Sequence, residues 1–331
     1  MTTSLADESG ILAELRDMAE RGRYREVLDR LRALAPEQVE GRTAFALLAA
    51  EAAGRLGDHL EARRWAAAAL TVAERRAERS AGLRALNALG IIALRSGDAT
   101  EAEQRFAEAL ETARALQDHA MQARCLNNLG VLATLRGDPA GALPNYQLAL
   151  AAYQQAGNVR GIAETYHNIG IGWRERGDLR QALAAAEEAV RLAAQVQDGS
   201  LVGLALMGRA EIHLAMGDPD LASVELARAA DAHARVRFDA GLPEVWRVQA
   251  AVAARRGDFP EARRLLERAA ELATRQASAE ALAAIERDLG AALEAEGDAV
   301  AAKAARQRAL VLYRKLGASK AAAELTALVS G

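Results

Sequence analysis

The chain has 331 residues, of which 51% are hydrophobic but only 4% aromatic, and its formal net charge is −3. This balance gives no general attraction to nucleic acid or to an anionic membrane, so we predict neither partner. The single cysteine excludes an intramolecular disulfide framework, and the sequence lacks the run of about 18 apolar residues that a transmembrane helix needs. Because the N-terminus is polar and acidic, we expect no signal peptide and predict a cytoplasmic protein.

The first 40 residues predict a polar tail followed by a short helical hairpin. Gly22 and Arg23 stand where later parts of the chain have Gly-Asp, and they precede Gly57 by 35 residues. This unit, at about residues 10–36, is therefore shorter than those that follow. Stacked-repeat proteins need capping units at their ends, and we interpret residues 1–40 as a tail and an N-terminal cap.

The pair Gly-Asp then recurs seven times at a fixed interval of 40 residues, from Gly57 and Asp58 to Gly297 and Asp298. A period of this length is typical of stacked-repeat architectures, and it divides residues 41–320 into seven repeats. Glycine after a helical stretch closes the helix in the left-handed conformation, and aspartate caps the next helix. Each repeat is therefore predicted to be a helix, a tight turn and a second helix.

Further patterns refine the repeat. Pro144 falls inside a predicted second helix, where we expect a kink or a late start. After the last repeat, an amphipathic stretch within residues 321–331 predicts a C-terminal capping helix. Glutamate or glutamine three residues after the Asp predicts capping boxes at Glu61, Glu101, Gln181 and Glu261. A small residue at one site of each first helix allows close helix packing, at Ala50, Gly90, Gly130, Gly170, Ala210, Ala250 and Gly290.

The repeat resembles the tetratricopeptide repeat. The segment Leu126 to Gly130, followed by Gly137, Asp138, Ala142, Tyr146 and Ala149, carries that family's pattern of small, glycine, alanine and aromatic residues. The 40-residue length is similar to the long repeats of kinesin light chains and MalT-like bacterial sensors. The resemblance implies an all-α α-solenoid, a right-handed superhelix of about eight helical hairpins plus a C-terminal capping helix. Ala66 and Ala186 depart from the family pattern, which often has a large aromatic residue at this site.

A search of the sequence for catalytic patterns finds none that is specific. There is no glycine-rich phosphate loop with lysine, no His-Glu-x-x-His and no cysteine cluster. The five histidines are scattered over different repeats, apart from His213 and His233, and two histidines alone make a poor metal site. We therefore predict a protein that is not an enzyme, with no catalytic residues, no metal and no cofactor.

The resemblance implies that the first helix of each hairpin lines a concave groove. Asparagine both donates and accepts hydrogen bonds, so it can pair with a peptide backbone of any sequence, while arginine can hold carboxylates. The alternative is that these asparagines bond to neighbouring helices or face water. Farther along, Arg247 and Arg287 predict a basic surface. The predicted groove residues are Arg84, Asn87, Ile91, Arg124, Asn127, Asn128, Val131, His167, Asn168, Ile171 and Arg174.

Three functional hypotheses follow. The first is a non-enzymatic scaffold or adaptor that binds an extended, acidic peptide or protein segment in its groove. The second is a sensor module of a bacterial signalling system, which binds a small effector or a signalling peptide and regulates a separate output protein. The third is a structural role through association of solenoids. The sequence identifies neither the partner nor the oligomeric state.

Overall fold

The repeats form helical hairpins throughout the computed structural model, which describes residues 5–20, 23–34, 42–56, 58–236, 241–276, 278–316 and 318–330. These residues contain 17 α-helices and no strand, as the sequence predicts. Among them, no helix is both long enough and apolar enough to cross a membrane.

The contacts divide the chain into two compact units, residues 1–118 and residues 119–331. Unit 1 contains a short hairpin and two repeats, with helices α1 (Leu5–Glu20), α2 (Tyr24–Arg32), α3 (Thr43–Arg55), α4 (His59–Arg75), α5 (Arg79–Ser96) and α6 (Ala99–Ala115). The short hairpin α1–α2 lies where the sequence predicts an N-terminal cap.

Unit 2 contains five repeats and a final single helix. Its helices are α7 (His119–Leu135), α8 (Pro139–Gln155), α9 (Val159–Glu175), α10 (Leu179–Gln195), α11 (Gly199–Ala215), α12 (Pro219–Arg235), α13 (Leu242–Arg255), α14 (Phe259–Arg275), α15 (Ala279–Ala295), α16 (Ala299–Lys315) and α17 (Ser319–Ser330).

The turns inside the hairpins from Gly97 to Gly297 have the predicted chemistry. Gly97 adopts the left-handed conformation with φ of 84°, and its N–H donates to the Leu94 carbonyl at 3.1 Å. Asp98 follows, and its carboxylate accepts a 2.9 Å hydrogen bond from the Glu101 N–H. The later glycines of the Gly-Asp pairs have φ between 80° and 88°. Gly57 and Gly22 lie outside the described residues.

The predicted capping boxes are incomplete, because only one of their two hydrogen bonds forms. In a complete capping box, the backbone N–H of the Asp donates a hydrogen bond to the side chain of the residue three positions later. Instead, the N–H of Asp98 donates to the Ala93 carbonyl at 2.8 Å, because the glycine turn of the preceding helix has already engaged it. The Glu101 side chain is thereby released, and it pairs with Arg63 on α4 at 2.5 Å.

Side-chain caps also form between hairpins, at two positions that are 40 residues apart and that the sequence patterns did not predict. Asn158 and Asp198 cap α9 and α11, and their side chains accept from the N–H of Gly161 and Leu201. At the equivalent position between successive hairpins the backbone again adopts a positive φ, and only one of the four residues there is glycine: Ala77, Gln117, Gly157 and Gln197. The lack of a repeated glycine at this site explains why the pattern is weak in the sequence.

Where the two helices of a hairpin meet, a small residue on one helix faces a large side chain on the other. Gly130 on α7 faces the buried ring of Tyr146 on α8, and Gly90 faces Phe106 in the same way. Helix α8 runs through Pro144 from Pro139 onward, so the predicted late start is wrong. At the C-terminal end, Leu325 on α17 packs in a cluster with Tyr313, and Leu135 at the end of α7 packs against that cluster.

Within each unit, the first helices of consecutive hairpins contact one another more closely than the second helices do. The side of a stacked array on which helices come closest is its inner side. The first helices α7, α9, α11, α13 and α15 therefore form the inner side of unit 2.

Candidate binding surface on the first helices

The predicted groove residues of unit 1 lie on α5 and differ in exposure. Arg84 is exposed and Ile91 is half-buried. Asn87 is only 5% exposed, so its amide is not open to a ligand, which differs from the predicted groove lining. Its burial agrees with the structural alternative for this residue, since a buried amide must find its hydrogen bonds within the protein.

In unit 2, the structure brings Asn127 on α7 and Asn168 on α9 together. The Asn168 Nδ2 donates to the Asn127 Oδ1 at 3.0 Å, and both side chains are half-buried. The two asparagines are 41 residues apart, one more than the repeat length, so they form a diagonal pair across consecutive first helices. An amide has two donors and an acceptor oxygen, so the pair keeps donors on Asn127 and an acceptor on Asn168 for another molecule.

The neighbours of this pair extend the same surface. Arg124 is exposed on α7, while Asn128, Val131 and Ile171 are half-buried. Two half-buried aliphatic side chains beside a pair of amides give a surface that offers both apolar contact and hydrogen bonds. The role of these residues in binding stays a prediction.

His167 on α9 packs over the next first helix. A Cβ atom at Gly208 on α11 would lie 2.7 Å from the His167 Nδ1, so the imidazole occupies the space that glycine leaves. Burial lowers the pKa of His167 to about 4, with Arg174 adding to this effect and Glu211 opposing it. The imidazole is therefore neutral at neutral pH and is able both to donate and to accept a hydrogen bond.

An ion-pair network continues from Arg174 along the inner side. Glu211 on α11 pairs with Arg174 at 2.5 Å and also with Arg247 on α13. Arg247 also binds Glu244 on its own helix at 2.6 Å through Nε, and Asp288 on α15 at 3.0 Å through Nη1. Four first helices are thus joined by alternating charges.

The ion pairs offset the free-energy cost of burying the charged side chains of this network. Burial raises the pKa of Glu211, but Arg174 and Arg247 outweigh that effect and lower the pKa to about 2. Arg247 is therefore engaged by three carboxylates, so the interpretation of a simple basic surface at this position is wrong. The paired residues are 36 to 41 positions apart in the sequence, and they form a network only because the first helices lie side by side.

A cavity of about 560 Å³ opens on this network in unit 2. Its charged lining residues are Arg174, Glu211, Arg247, Arg255, Arg287 and Asp288. Most of the remaining lining is apolar, with Leu214, Ala215, Val248, Ala250, Ala251, Ala254, Phe259, Ala262, Leu266, Ala291 and Ala292. Pockets of this size and mixed character are typical of ligand-binding sites. In the part of the chain that the structure describes, no group of three or more metal-ligating side chains is assembled.

The match to known proteins agrees with this architecture. Residues 42–115, 83–155 and 121–195 each match the family model described as tetratricopeptide repeat. The hairpins on either side of this segment have the same helix–turn–helix form. Residues 42–195 of this chain are therefore tetratricopeptide repeats. A search of curated proteins found none that matches this sequence.

Several solved structures share the fold. A Rap protein complexed with competence and sporulation factor has a TM-score of 0.62 at 13% identity, covering 98% of this chain and 97% of that one. NprR in complex with its cognate peptide NprX has a TM-score of 0.59 at 14% identity, covering 98% and 100%. A signal transduction ATPase with a tetratricopeptide repeat sensor from Pyrococcus horikoshii has a TM-score of 0.52 at 13% identity, covering 94% and 52%.

Proposed function

We propose that this protein is a non-enzymatic scaffold that binds an extended peptide or protein segment on the first helices of unit 2. The observation that carries the proposal is the pairing of Asn127 with Asn168. A peptide bond presents one carbonyl and one N–H, and the pair has a donor and an acceptor left over for them. Backbone pairing of this kind holds a segment in an extended form without specifying its side chains.

The surroundings of the pair support the same proposal. Val131 and Ile171 offer apolar contact, and the exposed Arg124 offers a charge for acidic side chains of the segment. The similar structures of the Rap protein and NprR are complexes with a signalling factor and a peptide. Their low identity supports only the fold, so it is the amide pair of this chain that favours a peptide. We also propose a cytoplasmic location, in keeping with the buried thiol of Cys125, which forms no disulfide bond.

A selection from a random peptide library, displayed with free C-termini, tests the proposal. We expect the protein to enrich a set of peptides. The affinity of these peptides should fall about tenfold in the Asn127→Ala, Asn168→Ala variant, because the two hydrogen bonds from the asparagine side chains to the peptide are lost. Asn145→Ala is the matched control, since Asn145 lies on the second helix of the same repeat and bonds to its own helix at the Gly141 carbonyl. If nothing is enriched, or if the double variant binds as well as the control, the proposal is wrong.

A sensor function is the second candidate, and the 560 Å³ cavity is the observation that favours it. The Pyrococcus horikoshii protein uses a tetratricopeptide repeat sensor within a signal transduction ATPase. In a sensor, the ligand in the groove would alter the binding of a separate output protein. Both functions require occupation of the first helices, and they differ in whether a second protein responds.

A further inference from the structure

A second cavity of unit 2 lies on the side of the second helices. This outer cavity has a volume of about 660 Å³ and is lined by α12, α13 and α14. Consecutive second helices contact one another less closely than consecutive first helices do, so a gap is left between α12 and α14. The outer cavity is therefore separate from the surface that carries Asn127 and Asn168, and a ligand there does not depend on the proposed function.

Trp246 on α13 and Arg268 on α14 stack against each other in the outer cavity. The guanidinium carbon of Arg268 lies 3.9 Å from the centroid of the Trp246 ring, which is a cation–π contact. Stacking uses the flat face of a guanidinium and leaves the N–H groups in its plane to bind an acceptor. Arg268 forms no ion pair or hydrogen bond with any residue that the structure describes. The ring therefore holds in place a cation whose hydrogen bonds are still available.

The neighbouring repeats show what Arg268 lacks. Arg228 on α12 and Arg308 on α16 occupy the same position in their repeats, 40 residues before and after it. Arg228 pairs with Glu225 at 3.3 Å. Arg308 pairs with Glu286 through two hydrogen bonds, of 2.8 and 2.7 Å. The equivalent arginine on either side of Arg268 is thus bound to a carboxylate of its own chain.

Uncharged residues replace both of these carboxylates in the repeat of Arg268. Trp246 stands at the position of Glu286, and Leu265 stands at the position of Glu225. Both replacements line the outer cavity. A carboxylate that pairs with Arg268 must therefore come from another molecule or from another part of the surface.

The carboxylates of the cavity itself have other partners. Its charged lining residues are Arg256, Asp258, Glu261, Arg264 and Arg268. Arg256 pairs with Asp220 on α12 at 2.6 Å, and Arg264 pairs with Glu261 at 2.6 Å. The Asp258 side chain caps α14 by accepting a 3.1 Å hydrogen bond from the Glu261 N–H.

Two further carboxylates on α14 lie elsewhere. Glu267 and Glu271 line a different cavity, together with residues of α15 and α16. Counted with Asp220, the charges of the outer cavity balance, so its net charge does not attract an anion. An anion is favoured at Arg268 alone, because the N–H groups of this arginine have no carboxylate.

Other groups of the lining define the rest of the ligand. Among the described residues, neither the Trp246 indole N–H nor the Gln249 amide forms a hydrogen bond, so both can donate to an oxygen atom. Leu226, Val252 and Leu265 are buried in the same lining. A small inorganic anion would leave this apolar part in contact with water, whereas an apolar group beside the anion removes apolar area from water.

We propose that the outer cavity binds a glutamate or aspartate side chain of a partner polypeptide, next to an apolar residue of that partner. The carboxylate accepts hydrogen bonds from Arg268 and takes the place that Glu286 has beside Arg308. The neighbouring apolar side chain lies over Leu226 and Val252. The protein would then hold a partner on its second helices without occupying the first helices.

Nuclear magnetic resonance of the full chain, labelled with ¹⁵N-tryptophan, tests the site. The chain has three tryptophans, so three indole N–H signals are expected, and Trp246→Phe identifies the relevant one. The probes are acetyl-Leu-Glu-Leu-amide and acetyl-Leu-Gln-Leu-amide, whose blocked ends confine the charge to one side chain. We expect the Glu peptide to shift the Trp246 signal with a Kd of about 1 mM or tighter, and the Gln peptide to bind at least about tenfold more weakly. Equal binding of the two peptides, or no shift of the Trp246 signal, overturns the inference.

The variant Arg268→Gln is expected to weaken binding of the Glu peptide at least about tenfold. Its matched control is Arg228→Gln, which removes the same charge at the same position of the preceding repeat and leaves Glu225 paired with Arg209. The control is expected to bind the Glu peptide as tightly as the unmodified protein. If both variants lose the same affinity, the effect is one of net charge and the inference is wrong.

A third variant supplies the missing carboxylate from within the chain. Trp246→Glu reproduces the arrangement of Glu286 and Arg308, so the new side chain should pair with Arg268 and weaken the Glu peptide at least about tenfold in isothermal titration calorimetry. Undiminished binding in a variant that thermal unfolding shows to be folded contradicts the inference. The Asn127→Ala, Asn168→Ala variant should bind the Glu peptide normally, so a failure of this site and a failure of the proposed function are seen separately.

Discussion

The size match inside the hairpins makes a sharp prediction about two equivalent glycines. Gly130 and Gly170 occupy the same site in successive repeats of unit 2, but their partners on the second helix differ. A Cβ at Gly130 would lie 2.7 Å from Cδ1 and 2.9 Å from Cζ of Tyr146, which is far inside van der Waals contact. At Gly170 the facing residue is Ala186, and the nearest atom to an added Cβ is the Ala182 carbonyl oxygen at 3.4 Å.

The substitutions Gly130→Ala and Gly170→Ala are therefore expected to differ in their effect on stability. Each gains about 1 kcal/mol because alanine favours the helix over glycine. Only Gly130→Ala also pays for overpacking, which costs about 1–3 kcal/mol in a well-packed core. The Tyr146 ring cannot move aside freely, because it is buried and its hydroxyl lies 3.1 Å from the Thr134 Oγ1. The two variants should thus differ by about 1–3 kcal/mol in the free energy of unfolding.

Urea unfolding followed by circular dichroism measures this difference as a shift in the midpoint. Tyr146→Ala provides the control, because Gly130→Ala should no longer be destabilising once the ring has been removed. The non-additivity of the two substitutions then reports their contact directly. If Gly130→Ala is as stable as Gly170→Ala, or if it stays equally destabilising without Tyr146, the size-match argument is refuted.

Three further predictions concern pH, charge and turn geometry. The pKa of His167 is about 4 in the folded protein and 6.5 in its ordinary state. Between these two pH values the unfolded chain binds a proton at His167 that the folded chain does not, so the free energy of unfolding falls as the pH falls. At pH 5 this costs about 2 kcal/mol, and His167→Gln should remove that part of the pH dependence of urea midpoints. Glu211→Gln should destabilise unit 2 by about 3 kcal/mol, because it leaves Arg174 and Arg247 with an uncharged partner; a change below about 1 kcal/mol would contradict this. Gln197→Gly should raise the unfolding free energy by about 1 kcal/mol, since Gln197 is exposed at φ of 54°, and no gain would show that this turn is unstrained.

The sequence alone determined the repeat, because its signals are local. A glycine that ends one helix and an aspartate that begins the next act through their own backbone and the four residues around them, so the interval of 40 residues is sufficient to place each hairpin. The same locality explains the incomplete capping boxes. The Asp98 N–H can serve only one acceptor well, and it donates to the Ala93 carbonyl of the preceding helix at 2.8 Å.

The surface on the first helices was decided by the tertiary structure. Asn127 and Asn168 were recognised as residues that could bind a peptide, but their diagonal pairing depends on how far one repeat is rotated against the next. Glu211 and Arg247 are 36 residues apart and meet only because consecutive first helices pack together. Such contacts depend on the stacking angle between repeats, which is set by many small packing interactions at once, and no local pattern in the chain encodes it.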